Sequence, residues 1–133
     1  MIHKLCIVAA ALALLTSCQT NTDFGVHSVQ PRDIPVPRGM ALDTHLNRSN
    51  SLEVGDYRYA NLVYRGSTPT MQIGAYLKDR MPQHSYRLTS QERTDDRTEQ
   101  FVFVRGTYTA TCTVRRLERQ SELEIRLRTN PKL

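Results

Sequence analysis

Two runs after Gly106 alternate apolar and polar residues one for one. In TYTATCTVRRL, Tyr108, Ala110, Cys112 and Val114 fall on one side, and Thr109, Thr111, Thr113 and Arg115 on the other. ELEIRLR repeats the pattern, with Leu123, Ile125 and Leu127 against Glu122, Glu124, Arg126 and Arg128. A period of two is the mark of a strand with one buried and one wet face, and it cannot sit still as a helix. Upstream, YRLTSQER, the turn-rich TDDRT and EQFVFVR also read as strand, turn and strand. The short links between these runs imply successive hairpins, hence an antiparallel β-meander.

The preceding segment has a different period. In STPTMQIGAYLKDRMPQ, Ile73, Leu77 and Met81 recur every four residues, with Tyr76 beside them. This predicts an amphipathic helix. Thr68 is the expected N-cap, Pro69 suits the first helical position, and Pro82 ends the helix near Met81. Gly74 weakens this helix by about 1 kcal/mol relative to alanine and would let it lie close to a sheet. Before it, YRYANLVYRG reads as a strand, so a compact domain is expected at 57–133. The expected fold class is α+β: one helix on one face of the meander, in the order β-α-β-β-β-β, a helix-grip-like arrangement. The single helix supplies the second layer that a small domain needs.

Residues 33–56 are expected to be an extended lead-in segment. Pro35 and Pro37 exclude a helix there. Ile34, Val36, Met40 and Leu42 are apolar enough to lie along the domain. Residues 18–32 have few large apolar groups and no period, which predicts a flexible tether.

The first seventeen residues read as a signal. Met1 to Lys4 is a short basic start, and Leu5 to Leu15 is uncharged and apolar. A helix needs about 20 apolar residues to span a bilayer, so this run fits a cleaved secretory h-region better than an anchor. Leu15-Thr16-Ser17-Cys18 resembles the lipobox of bacterial lipoproteins: an aliphatic residue, two small residues and a cysteine. The resemblance implies that the Cys18 thiol receives a diacylglyceryl group, that the peptide before it is cut, and that the new amino terminus is acylated, palmitate being a typical chain. Two or more chains make a stable attachment, each buried methylene contributing about 0.8 kcal/mol. Gln19, where an aspartate would mark inner-membrane retention, points to the periplasmic face of the outer membrane, with the inner membrane as the alternative.

The lipobox, the tether, IPVPRGM, a strand ending in LVYRG, a helix ending in Tyr76 and Met81-Pro82, and a later TCTV strand are together similar to a widespread family of small uncharacterised bacterial lipoproteins. Members of that family often carry Gly-Trp where this chain has Ser85-Tyr86. The resemblance implies a shared fold and anchoring and no particular reaction.

Chemistry-bearing residues are sparse. His27, His45 and His84 stand in no metal-binding spacing, and Asp95-Asp96 lies in a turn-forming run. Cys112 has no disulfide partner once Cys6 leaves with the signal and Cys18 carries lipid. Its place on the apolar side predicts a buried small hydrophobe. Six tyrosines could line a ligand wall or fill a core. The formal net charge of +5 is modest and mixed with acidic residues, with 15 Arg against 3 Lys. Nucleic acid is not an expected partner for an exported chain. No catalytic, metal or cofactor site is expected. The reading is a non-enzymatic periplasmic lipoprotein, held to the membrane through Cys18, that binds or scaffolds an envelope protein or polymer. The alternative is a small-ligand or envelope-polymer binding module using the groove between helix and sheet.

Overall fold

The computed structural model describes residues 30–45 and 48–131. Seven strands form one antiparallel sheet: β1 (Met40–Leu42), β2 (Asn50–Val54), β3 (Tyr57–Gly66), β4 (Arg87–Asp95), β5 (Thr98–Arg105), β6 (Tyr108–Arg116) and β7 (Ser121–Thr129). One helix, α1 (Thr70–Arg80), lies between β3 and β4 and runs into a 3-10 turn at Met81–His84. The α+β class therefore holds. The expected order does not: it is β-β-β-α-β-β-β-β, because the lead-in segment supplies two strands. β2 was hidden by its polar flanks, yet Val54-Gly55-Asp56-Tyr57 closes a two-residue hairpin with β3, with Gly55 at φ +55°. Glycine at the first central position suits the turn that matches strand twist.

Across the sheet the strands lie in the order β1, β3, β7, β6, β5, β4, with β2 also beside β3. The chain leaves β3, crosses one face as α1, enters at the opposite edge as β4 and meanders back until β7 pairs with β3. That face holds the core. Ile73, Leu77 and Met81, at the predicted spacing, are fully buried against Leu62, Phe101, Phe103, Cys112, Ile125 and Leu127. Gly74 is explained by close approach, since a Cβ there would meet the Phe101 ring at 2.9 Å.

Thr68 does not cap the helix. Its hydroxyl donates to the Arg38 carbonyl at 2.7 Å, and Pro69 occupies the N-cap position without a side-chain bond. The hydroxyl thus joins the lead-in segment to the β3–α1 connection. Ile34 is in the core, and Val36, Met40 and Leu42 pack against it. Fully burying a side chain such as Ile34 contributes about 1.5–3 kcal/mol. The segment is a structural strap rather than a loose leader.

Gly66 is where the strap meets the sheet. It pairs with Met40, and a Cβ there would be driven into the Gly39 peptide, whose carbonyl carbon would lie 2.7 Å away. Backbone cannot yield as a flexible side chain can. Gly66→Ala should therefore cost about 1–3 kcal/mol, the usual range for overpacking. It should also speed amide exchange in Met40–Leu42. Urea unfolding and hydrogen exchange check this; unchanged values for both would mean that the strand and strap do not approach so closely.

Candidate functional site

The face opposite α1 is covered by no second layer among the described residues. Period two places Glu122, Glu124, Arg126 and Arg128 of β7 on it, as expected. It does not leave them all wet: Glu122 is 4 % exposed and Glu124 8 %. The cross-strand register explains why. Arg65 of β3 and Arg115 of β6 lie directly opposite Glu122 on its two sides. Glu122 Oε2 accepts from Arg65 Nε at 3.1 Å and from Arg48 Nη2 at 3.0 Å, and Oε1 accepts from Arg115 Nη1 at 3.1 Å. Glu124 takes Arg115 Nη1 at 3.0 Å and Arg126 Nε at 2.8 Å. Asp43 lies 3.5 Å from Arg48 and 3.6 Å from Arg65.

Carboxylates thus form a floor, and arginines lie over them with their outer surfaces in solvent. Burial works against the charge of Glu122, but bonds from Arg65, Arg48 and Arg115 outweigh it and hold its carboxyl below the ordinary range. Burial likewise opposes the charge of Arg115, and its bonds to Glu124 and Glu122 reverse the balance and raise its pKa. Each guanidinium has five donors in a rigid fork, and the carboxylates below occupy only some of them. The array can present fixed, partly unfilled donors to carboxylate, phosphate or carbonyl groups.

A second cluster holds the strap. Asp33 receives Arg58 in a two-pronged bond, Nη1 to Oδ2 at 2.8 Å and Nη2 to Oδ1 at 2.7 Å. Arg105 Nη2 stands 2.6 Å from Oδ2, and the Tyr86 hydroxyl donates to the same oxygen at 3.1 Å. Arg105 stacks 4.7 Å from the Tyr86 ring centre, and Arg58 5.1 Å from that of Tyr108. Burial opposes the Asp33 charge. The hydrogen bond and charge of Arg58, the charge of Arg105 and the Tyr86 bond overcome it and hold the carboxyl at about 2. Tyr86 moves the other way, to about 12, through burial and the negative charge of Asp33.

The residues weighed in the sequence scatter. Cys18 and His27 lie outside the described residues. His45 is exposed, and the His84 backbone carbonyl accepts from Arg105 at 3.4 Å. Asp95 caps its own turn, accepting the Arg97 amide at 2.7 Å. Cys112 is fully buried, and burial pushes its thiol up to about 12. The tyrosines form no single wall: Tyr64 and Tyr86 are in the core, Tyr57 is exposed, and Tyr59 lies on the open face opposite Arg128. The seam between helix and sheet is filled by Ile73, Leu77 and Met81. Among the described residues no three His, Cys, Asp or Glu side chains gather as a metal site, and no helix is long and apolar enough to cross a membrane. Comparison with protein-family models, curated proteins and solved structures found no match to the chain.

The arginine array and the Asp33 cluster escaped the sequence because their members come from distant positions. The one local signal was carboxylates at alternate positions of β7, flanked on adjacent strands by arginine.

Two measurements test this geometry. Asp33→Asn should cost about 1–3 kcal/mol, the range for losing charge-assisted bonds. A carboxyl lowered in the fold stabilises it above its unfolded pKa of 3.8 and loses that contribution as pH falls toward 2. The gap in stability between wild type and variant should therefore be full at neutral pH and shrink below about pH 4, as urea melts across pH will read; a pH-independent gap would contradict the clamp. Separately, Cys112 should resist a thiol reagent in native buffer and react at once in denaturant. Fast labelling of the folded chain would overturn both its burial and the β6 register.

Proposed function

We propose that this chain is a non-enzymatic lipoprotein, tethered through Cys18 to the periplasmic face of the outer membrane, that binds another cell-envelope component through the open face of its sheet. One observation carries the binding role: the arginine array, whose guanidiniums are fixed from below by nearly buried Glu122 and Glu124 while their outer sides face solvent. Pre-positioned arginines lose little entropy on binding, and arginine is enriched at protein interfaces. A partner with carboxylates or backbone carbonyls along an extended surface fits such a row. The guanidinium forks favour a second reading, an anionic envelope polymer bound at the same array rather than in the helix–sheet seam. The kinship with small bacterial lipoproteins and the helix-grip-like description of the fold belong to this same proposal.

The anchor is tested first. Cys18→Ser should abolish incorporation of labelled palmitate and leave the precursor uncut. Labelling that persists in the Ser variant, or is absent from wild type, would refute the lipoprotein reading. For the partner, a photo-crosslinking residue at Thr111, on the open face, should give a discrete adduct in cells. The same residue at Gln72, on the exposed side of α1, should give none. Combining Thr111 labelling with Arg65→Glu and Arg115→Glu should abolish the adduct. Adducts of equal strength from Thr111 and Gln72, or none from Thr111, would remove the open face as the binding surface.

A further inference from the structure

The arginine array occupies one half of the open face. The other half ends at the β2–β3 hairpin, where three large apolar side chains are uncovered. Leu52 is 48 % exposed, Val54 63 % and Tyr57 50 %. Val54 pairs with Tyr57 and Leu52 with Tyr59, so all of them project from the open face at one tip. Single exposed apolar residues are ordinary, but a cluster at one tip calls for a reason. Met71, exposed at the start of α1, is such a single case.

The charges around the tip are not balanced. Arg128 lies opposite Tyr59 and Arg32 precedes the clamp, while Arg87 opens β4 at the same end of the sheet but on its far edge. Among the described residues none of these three has an ion pair. The carboxylates of Asp33 and Glu53 are taken by Arg58 and Arg105, which leaves Asp56 in the turn. At the opposite end the turns carry Arg97 and Arg119 beside Asp96 and Glu118, with both signs interspersed.

The path of the chain shows which end of the sheet the tether joins. Asp33 grips Arg58, the neighbour of Tyr57, so the chain reaches the domain on the helix face at the same end of the sheet as the apolar tip. Cys18 stands twelve residues before Gln30. Twelve residues reach no farther than about 43 Å even when fully extended. A lipid on Cys18 therefore tethers this end within about 43 Å of the bilayer, and the apolar tip lies at that tethered end; this step rests on the anchor proposed above.

We propose that the β2–β3 tip docks on the surface of the bilayer that holds the lipid, with Leu52, Val54 and Tyr57 in the headgroup–acyl boundary and Arg32, Arg87 and Arg128 against anionic lipid phosphates. Apolar side chains flanked by unpaired cations are the chemistry of interfacial binding, and long arginine stems reach phosphates while their methylenes remain in apolar surroundings. Docked in this way, the domain is oriented rather than merely tethered, and the arginine array lies at the end of the open face farther from the lipid.

The test uses the full lipidated chain reconstituted in phosphatidylethanolamine–phosphatidylglycerol vesicles. A fluorophore is placed at Val54→Cys or, as control, at Arg119→Cys, and quenched by nitroxide lipids labelled near the headgroup. Quenching at position 54 should exceed that at 119 severalfold. It should fall toward the control when phosphatidylglycerol is omitted, or in Arg87→Glu with Arg128→Glu. Equal quenching at the two positions on a chain whose mass shows the acyl groups would overturn the docking and leave the anchor standing. A chain whose mass shows no acyl group would overturn both. Shielding of position 54 only when an envelope protein is added would give the tip to a protein partner and overturn the docking.

Discussion

One carboxylate, Asp33, is shared by two guanidiniums and a phenol, and the ends of the fold meet around it. Arg58 begins β3, Tyr86 precedes β4, Arg105 ends β5 and Tyr108 begins β6, so the cluster gathers four strands and the strap at one end of the core. No member is easily removed alone. A buried cation that loses its counter-charge costs far more than the pair contributes, because desolvation is already spent. The strap then brings Ile34 into the core and carries β1 and β2 into register, and β2 supplies the apolar tip. The free hairpin therefore depends on an ion cluster at the opposite face of the sheet.

Much of the architecture was legible where local pattern and burial coincide. The alternation in β6 and β7 placed Ala110, Cys112, Leu123 and Ile125 inward, and all four are fully buried. The four-residue spacing of Ile73, Leu77 and Met81 likewise gave the packed side of α1. Misreadings arose where a residue's partner is remote. Thr68 has the chemistry of a cap but bonds to Arg38, thirty residues earlier, a contact made by the strap rather than by the helix. Asn50 to Val54 looked like polar linker because its strand character comes from pairing with β3. Asp33 carries no local signal, because its partners Arg58, Tyr86 and Arg105 lie far along the chain. The candidate site shares this difficulty. Period two correctly placed Glu122 and Glu124 on the solvent side, and burial there comes from Arg48, Arg65 and Arg115, none of which neighbours them in sequence. Cys18 lies outside the described residues.

The two faces of the sheet use the same side chains differently. On the helix face, arginine closes the end of an apolar core by stacking on tyrosine. On the open face, arginine covers carboxylates and meets water. In the first case Arg58 is itself nearly buried; in the second the carboxylates are nearly buried while the arginines over them are about a third or more exposed. This division puts the cluster that holds the strap on one face and the proposed binding array on the other.

β7 is the last of the described strands and lies directly beside β3. Its neighbours are β3, about sixty residues earlier, and β6, joined to it by a short turn. The long excursion through α1 to the far edge means that β3 stays unpaired on one side until β7 arrives. Long-range pairing of this kind is slow, since the loop must close before any contact rewards it. Folding therefore finishes in the middle of the sheet rather than at its rim. A ribosome that has released everything before Ser121 holds two half-sheets with facing raw edges, which β7 joins.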